Sequence, residues 1–416
     1  MIIIPLIYFL LVFGFLWNRN RTWNMDLAAT TLLVIISFFA IVIDVKGLYG
    51  DYGINEDLIT LPTLILFCLQ WTIVILLLHF LSNIPFEKHA PIKEPVLYVF
   101  FIVMILSSFI MIVTKAQDIV QALVMDLADV RAQHYKDLSE GDGGMASYLL
   151  VIPSIFITPP FPTLALFFWF YMKAFTKCSL LLRTGMLTAS IVQALISIII
   201  AGRAAMIYWA FDFFIVYGFF HQYLSKETKR TLFIAASIFG SLAGFLFLSI
   251  TLARFDGSSF STDPFDSLYG YAGQHINNFC TMFVMGGDSP TTYDRIFPFM
   301  SKLAGNPYDM VDHYEEISSR LPGNVMVNVF DTYGGEIYLD LGWVGFIFFH
   351  LLLIGFILYV KSFWQKLAFN RIFILVIFVA FFTHGLFAWP FTGHYTTIAI
   401  MIVLFCSFLF KYTFKT

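Results

Sequence analysis

The sequence predicts an all-α polytopic membrane protein with about eleven transmembrane helices, and three observations support this class. The 416-residue chain is 59% hydrophobic and only 12% charged, whereas a soluble domain has about 25% charged residues. Apolar runs recur along the chain, most of them close to the roughly 20 residues that an α-helix needs to cross a bilayer. Basic residues collect in every second connection between these runs, which is typical of alternating membrane topology.

The eleven apolar runs set the predicted helices. They cover residues 2–17, 27–43, 58–81, 96–113, 148–172, 184–201, 205–223, 231–252, 336–360, 372–389 and 393–410. The fifth run contains four prolines, which predict a kinked or broken helix: Pro153, Pro159, Pro160 and Pro162. The first run lacks a basic leader and a small-residue cleavage site, so we expect it to be retained as a span.

The basic residues predict the orientation of the chain. Fifteen of the 24 Lys and Arg residues lie in six alternate connections: Arg19, Arg21, Lys88, Lys93, Lys173, Lys177, Arg183, Lys226, Lys229, Arg230, Lys361, Lys366, Arg371, Lys411 and Lys415. Short basic connections face the cytoplasm. The N-terminus is therefore expected outside and the C-terminus in the cytoplasm.

Residues 1–416 are predicted to form a single transmembrane domain with two larger outer loops, 114–147 and 254–333. The second loop is the long polar segment of a chain that is otherwise mostly apolar. A loop of this length without strong periodicity is usually functional or disordered. Its aromatic and apolar residues favour a folded, partly helical and functional loop.

Composition and motifs exclude several classes of function. The net charge of −3 gives no sign of a nucleic-acid partner. The sequence has no G-x-x-x-x-G-K-[ST] phosphate loop and no G-x-G-x-x-G element after a strand. Its four cysteines show neither metal-ligand spacing nor a disulfide framework: Cys68, Cys178, Cys280 and Cys406. We therefore expect no cofactor and no metal.

Four arginines on the outer side are candidate ligands for a diphosphate. Arg203 lies between two apolar runs in Ala201–Ala205, and Arg254 ends the eighth run. A guanidinium can hold two phosphate oxygens at once. The alternatives are a snorkelling turn arginine at Arg203 and a helix C-terminal cation at Arg254. Arg295 and Arg320 lie in the long loop, where a local salt bridge is the alternative.

Four further residues are candidate catalytic groups. Glu336 and Asp340 are four residues apart at the start of the ninth run, which places both carboxylates on one helix face. They suit contact with sugar hydroxyls or a base role, although acids also complement a helix N-terminus. His313 and His275 are the histidines of the long loop, and either could act as a base near neutral pH. The alternative is a locally hydrogen-bonded histidine.

Three segments and the layout resemble the Wzy-type O-antigen polymerases, which polymerise polysaccharide repeat units. The segments are Ala201-Gly202-Arg203-Ala204-Ala205, then Tyr271-Ala272-Gly273 with Phe279, and then Asn328 to Gly345 with Tyr338-Leu339-Asp340-Leu341-Gly342-Trp343-Val344-Gly345. The layout has many spans, a large outer loop late in the chain and short basic inner loops. The motifs cover about fifty residues. O-antigen ligases share the plan and stay an alternative.

This resemblance implies a GT-C-like bundle in the bacterial cytoplasmic (inner) membrane. It implies metal-independent, inverting glycosyl transfer on the outer side of that membrane. The donor would be a growing glycan on undecaprenyl diphosphate, and the acceptor a hydroxyl of one lipid-linked repeat unit. Arg203 and Arg254 would hold the diphosphate, and Tyr333 and Tyr338 would contact the glycan. A chain-length-regulating co-polymerase is a further expected partner.

The sequence disfavours two other function classes and leaves a third open. A flippase for lipid-linked oligosaccharides would need charged residues along several spans, and this chain keeps most charges outside them. An acyltransferase would need a cytoplasmic acyl-donor site, which the short inner loops do not offer. A metal-dependent glycosyltransferase stays open because acids collect in the first outer connection: Asp44, Asp51, Glu56 and Asp57.

Overall fold

The computed structural model describes most of the chain as helix. The described residues are 1–49, 56–86, 95–124, 146–176, 178–200, 204–255, 264–285, 296, 305, 330–391 and 393–413. Within them the extended structure is limited to one parallel bridge between Phe86 and Leu367. The all-α class predicted from the apolar runs is therefore confirmed for the described part of the chain.

Thirteen α-helices occupy the described residues. In chain order they are α1 Ile3–Asn20, α2 Met25–Lys46, α3 Leu61–Asn83, α4 Pro95–Val124, α5 Ala146–Phe156, α6 Phe161–Phe175, α7 Leu180–Ile196, α8 Ala204–Phe220, α9 Lys226–Phe255, α10 Pro264–Met285, α11 Thr332–Phe363, α12 Arg371–Gly385 and α13 His394–Thr413. Short 3₁₀ turns cover Glu56–Leu58, Ser197–Ile200 and His221–Tyr223. Each of the eleven predicted runs coincides with one helix or, for the fifth run, with the pair α5 and α6.

Seven described helices are long and apolar enough to cross a bilayer, which makes the chain a polytopic membrane protein. They are α1, α2, α3, α4, α7, α8 and α11. The segments Leu150–Phe156 and Phe161–Phe175 count as an eighth span if taken together, and they are bent by 57° at the proline-rich break. The predicted kink of the fifth run is therefore confirmed. Helices α12 and α13 are shorter apolar helices, so a total of eleven spans stays a prediction.

The chain divides into two compact units. Unit 1 contains Met1–Phe86, Phe265–Leu367 and Phe378–Thr397. Unit 2 contains Glu87–Pro264, Ala368–Ile377 and Ile398–Thr416. In unit 2, aromatic rings of α6 pack against α8, and the buried Asp212 carboxylate accepts a hydrogen bond of 2.6 Å from Thr163. A carboxylate inside an apolar unit needs such a donor because its burial is otherwise costly.

Local sequence signals explain where the first helices of unit 1 begin and end. Asn24 caps α2 by accepting a hydrogen bond from the backbone N–H of Leu27, and Gly47 ends the helix with a φ of +66°. Thr60 and Thr63 form a reciprocal capping box at the start of α3. Side-chain caps satisfy backbone groups that have no partner inside the helix.

Helix α10 lies against α2 with the two backbones in contact. A Cβ added to Gly273 would lie 2.5 Å from the carbonyl carbon of Phe39, so glycine alone fits at this crossing. At the start of α10, Asp266 forms an ion pair with Lys46, whose ammonium also lies 4.9 Å from the ring centre of Tyr269. The glycine of the motif Tyr271-Ala272-Gly273 therefore permits the close packing of α10 against α2.

Helix α11 is broken near its N-terminus at Gly342. Its φ of +64° and ψ of −165° are not helical, so the chain forms a short segment before this residue and a long helix after it. A side chain other than glycine is strained at such a φ. Every residue from Thr332 to Asp340 is buried, so the short segment lies inside unit 1. The sequence run 336–360 predicted one continuous helix, and this break is a correction to that prediction.

Candidate functional site

The buried segment of α11 carries the two predicted acids. Glu336 and Asp340 each have a relative exposure of 0%, and they are one helical turn apart ahead of the Gly342 break. Carboxylates are rarely this buried unless they are paired or hydrogen-bonded. Asp340 accepts a hydrogen bond, and Glu336 also interacts with its surroundings. The pair therefore provides a polar centre within unit 1.

Asp340 connects this segment to the long loop. Its Oδ2 accepts a hydrogen bond of 2.8 Å from the backbone N–H of Ile296, which is buried. The carbonyl oxygen of Ile296 accepts a second hydrogen bond, of 3.2 Å, from Nε1 of Trp389. Ile296 lies within the predicted loop 254–333, so the loop contacts α11 through a buried backbone group.

Helix α10 presents a buried stripe of polar side chains. Gln274, Asn277, Asn278 and Thr281 follow the i, i+3, i+4, i+7 spacing of one helix face, and all four are at most 3% exposed. Within the described part of the chain, Oε1 of Gln274 and both polar side-chain atoms of Asn277 have no hydrogen-bond partner. Buried amides normally have partners, so this stripe could accept water or a polar ligand.

His275 lies on the same helix but in an aromatic environment. Its ring lies edge-on to Phe330, with centroids 5.1 Å apart, and to Phe387, with centroids 4.7 Å apart. Burial lowers the pKa of His275 to about 3. A ring with this pKa is a weak proton acceptor near neutral pH. The aromatic rings around His275 show that it contributes to packing, and its role as a base stays a prediction.

Tyr333 and Tyr338 are engaged by protein. The Tyr333 hydroxyl lies 3.1 Å from the Gln70 carbonyl oxygen and 3.1 Å from Nε2 of His350. The Tyr338 ring stacks on Phe283 with centroids 4.2 Å apart. Both tyrosines are buried, so in this conformation their rings contribute to packing between helices. Their predicted contact with a glycan stays a prediction.

Several predicted site residues lie outside the described part of the chain. These are Arg203, Arg295, Arg320 and His313. Arg254 is in the last turn of α9, as the sequence run predicted, but its side chain is outside the described set. The role of these arginines in diphosphate binding therefore stays a prediction.

The acidic residues that suggested a metal-dependent enzyme are distributed along the first outer connection. Asp44 accepts a hydrogen bond of 2.7 Å from the Tyr49 hydroxyl, and Glu56 and Asp57 begin a 3₁₀ turn. Asp51 is outside the described residues. Across the described ranges, no group of three or more His, Cys, Asp or Glu side chains could hold a metal ion.

Sequence reasoning missed two buried polar arrangements. One is the contact of Asp26 on α2 with Nδ1 of His79 on α3 at 2.5 Å. A signal for it existed, since an ionisable residue inside an apolar run is usually paired or functional. The other is Trp389, whose indole binds Ile296. It carried no local signal, because the contact joins residues 93 positions apart.

Comparison of the chain with protein-family models, with curated proteins and with solved structures gives no match.

Proposed function

We propose that this chain is an inverting glycosyltransferase that polymerises lipid-linked oligosaccharide repeat units outside the cytoplasmic membrane. The resemblance to Wzy-type polymerases supports this function. The structural observation that supports it best is the pair of fully buried carboxylates, Glu336 and Asp340, in a helical segment that the long loop contacts at Ile296. Two lipid-anchored substrates held at one membrane depth would also gain rate from their proximity.

In the proposed reaction, an acceptor hydroxyl attacks the anomeric carbon of the donor glycan. A bond forms between the hydroxyl oxygen and this carbon, and the bond from the carbon to the diphosphate oxygen breaks. Undecaprenyl diphosphate leaves with the bonding electron pair, and the hydroxyl proton passes to a carboxylate. Attack from the face opposite the leaving group inverts the configuration and requires no covalent intermediate.

The arginines, one carboxylate and two buried amides have separate roles in the proposed reaction. Arg203 and Arg254 stabilise the charge that develops on the diphosphate, since a guanidinium provides fixed donors. Glu336 receives the proton. The amides of Gln274 and Asn277 bind sugar hydroxyls, because each amide offers both donors and an acceptor. Their burial and their unfilled hydrogen-bonding capacity among the described residues support this role.

Deleting the gene in the source organism tests the proposal. Lipid-linked glycans are extracted and sized by mass spectrometry before and after complementation. We expect single repeat units to accumulate on the lipid carrier, and polymer to return with the wild-type gene. Polymer that remains on the carrier would instead indicate a ligase, and repeats confined to the inner leaflet would indicate a flippase.

Complementing variants connect this result to the site. Glu336→Gln removes the proton acceptor and keeps the shape of the side chain, so we expect single repeats to persist. Arg19→Ala is the control, because Arg19 is exposed at the end of α1 and outside the proposed site. We expect Arg19→Ala to restore polymer. Normal polymer in the deletion strain would overturn the proposed function.

A further inference from the structure

The backbone N–H and the backbone carbonyl group of one loop residue, Ile296, both form hydrogen bonds with side chains of unit 1. The N–H of Ile296 donates to Oδ2 of Asp340 at 2.8 Å, and the carbonyl oxygen of Ile296 accepts from Nε1 of Trp389 at 3.2 Å. The two side chains belong to segments 49 positions apart in the sequence. Ile296 is only 3% exposed, so each of these backbone groups would be costly to leave without a partner.

Trp389 is itself fixed by neighbouring rings. Its indole packs edge-on against Phe349, Phe381 and Phe391, with centroids 5.6, 6.0 and 5.5 Å apart. Aromatic pairs prefer edge-to-face arrangements, so these three contacts favour the observed orientation of the indole. The indole N–H is only a donor, so its direction determines which acceptor it can bind. The aromatic contacts therefore hold the donor in place for the carbonyl group of Ile296.

The Asp340 side chain does not need its charge to accept the hydrogen bond from Ile296. The contact with Ile296 needs an acceptor oxygen at the Oδ2 position. An amide oxygen also accepts a hydrogen bond, whereas only the carboxylate can take up a proton and act as a base. Replacement by Asn therefore separates the two roles that a carboxylate at position 340 could have.

We propose that Asp340 and Trp389 are positioning residues that hold the long loop at Ile296, and that Asp340 acts as a hydrogen-bond acceptor instead of a base. The link to glycan transfer rests on the proposed function, but the hold on the loop does not. In this proposal Trp389 affects transfer through the loop and does not contact substrate. Glu336 then remains the carboxylate of this helical segment that takes up the proton.

Cysteine accessibility at position 296 tests the hold on the loop. Ile296→Cys keeps the backbone N–H and C=O and places a thiol at a buried position. The background carries Cys178→Ser, because the other three native cysteines are buried. Purified protein in lipid nanodiscs is treated with a maleimide reagent, and the labelling rate at position 296 is followed by mass spectrometry.

We expect slow labelling in this parent and in its Asp340→Asn derivative. Asp340→Ala should increase the rate about tenfold, since it removes a hydrogen bond to a charged acceptor. Trp389→Phe keeps an aromatic ring but removes the donor, and should increase the rate about fivefold. Trp17→Phe, at an exposed position of α1, should leave the rate unchanged. Cys280 must stay unlabelled throughout, which shows that unit 1 remains folded.

Two results would overturn the proposal. Unchanged labelling in both Asp340→Ala and Trp389→Phe would show that these side chains do not hold the loop. Loss of polymerisation in Asp340→Asn, with position 296 still protected, would show that Asp340 acts as a base. If labelling follows the expected order while the wild-type protein forms no polymer, the hold on the loop stands and the proposed function fails.

Discussion

Gly334 on α11 lies directly against the side chain of Gln70 on α3. A Cβ added to Gly334 would be 1.8 Å from Oε1 of Gln70 and 3.2 Å from Cε2 of Phe346. Glycine therefore permits the buried segment of α11, with Glu336 and Asp340, to approach α3 at this distance. The pair Gly334-Gly335 of the sequence motif therefore has a packing explanation at Gly334 that does not depend on any ligand.

Gly334→Ala should destabilise the protein by about 1 kcal/mol, because the end of the buried Gln70 side chain must move to make room for the added methyl group. Shortening Gln70 to Ala should recover part of this loss in the double variant, since the clashing oxygen is removed. Both effects are measured by thermal unfolding in detergent. The readout is the fraction of protein that still elutes as a monodisperse peak in size-exclusion chromatography after heating.

Gly355→Ala is the matched control for this change. It lies on the same helix, and an added Cβ would contact nothing within 4 Å. Its stability should equal or slightly exceed that of the wild type, since alanine favours helix more than glycine does. Equal stability of Gly334→Ala and Gly355→Ala would contradict the packing explanation.

The pair Asp26–His79 should show energetic coupling. The Asp26 carboxylate also accepts from Nδ2 of Asn20 at 3.2 Å and from the N–H of Leu27 at 2.7 Å. Replacing His79 by Leu leaves a buried carboxylate short of one donor, and replacing Asp26 by Leu leaves a buried imidazole short of its acceptor. Each single change should cost about 1–3 kcal/mol, the usual cost of leaving a buried polar group short of a hydrogen-bond partner.

The double variant Asp26→Leu/His79→Leu should cost less than the sum of the single changes, by about 1–3 kcal/mol. The same unfolding assay, completed as a double-mutant cycle, measures this difference. Strict additivity would show that the 2.5 Å contact contributes little beyond packing.

The sequence predicted where the helices lie because apolar length is a local property. It also predicted the bend in the fifth run, since Pro153 and its neighbours disrupt helix geometry wherever they occur. The break at Gly342 was missed, because one glycine inside an apolar run can lie in a continuous helix or at a break. The tertiary environment decides between the two.

The candidate site was predictable only in part for a similar reason. The spacing of Glu336 and Asp340 places both on one helix face, and both are in fact buried on one segment. Their partners depend on chain segments far apart in sequence, as the contact between Asp340 and Ile296 shows. The neighbourhood of His275 is likewise formed by Phe330 and Phe387, which no local pattern connects to it.

His275 should make the folded protein less stable in acid. Its pKa is lowered by burial to about 3 in the folded state, against an ordinary value near 6.5. Between these values the unfolded chain binds a proton that the folded protein does not, so stability is full above about pH 6.5 and falls toward pH 3. The loss is about 1 kcal/mol per pH unit in this window.

His275→Gln removes this titration and keeps a polar side chain. The unfolding temperature of the variant should therefore fall less steeply than that of the wild type between pH 6.5 and 4.5. Parallel curves for the two proteins over this range would show that the pKa of His275 is not lowered in the folded state.

The predicted orientation can be tested with single cysteines in the Cys178→Ser background. Ser258→Cys, in the predicted outer loop, should react with a membrane-impermeant thiol reagent in cells whose outer barrier has been opened. Ser225→Cys, in a basic connection before α9, should react only after the inner membrane is permeabilised. The reverse pattern would invert the topology and remove the basis for an outer diphosphate site.

The proposed function requires Arg203 to bind the donor diphosphate. A guanidinium offers two parallel donors to phosphate oxygens, whereas the ammonium of lysine is a point charge that cannot reproduce this geometry. Arg203→Lys should therefore reduce polymerisation although the charge is kept, and Arg203→Ala should reduce it further. A loss of about 1.5–3 kcal/mol per charge-assisted hydrogen bond corresponds to a rate reduction of roughly 10- to 100-fold.

The same order, wild type above Lys above Ala, should hold at Arg254 if the two arginines bind one diphosphate. Polymer length and yield are read from lipid-linked glycans of complemented deletion strains, with membrane protein levels measured in the same cells. Arg19→Ala again serves as the control, because it removes an arginine that is exposed at the end of α1. Full polymer from a well-expressed Arg203→Ala variant would exclude the diphosphate role, because removing a donor that stabilises the developing charge slows the transfer step.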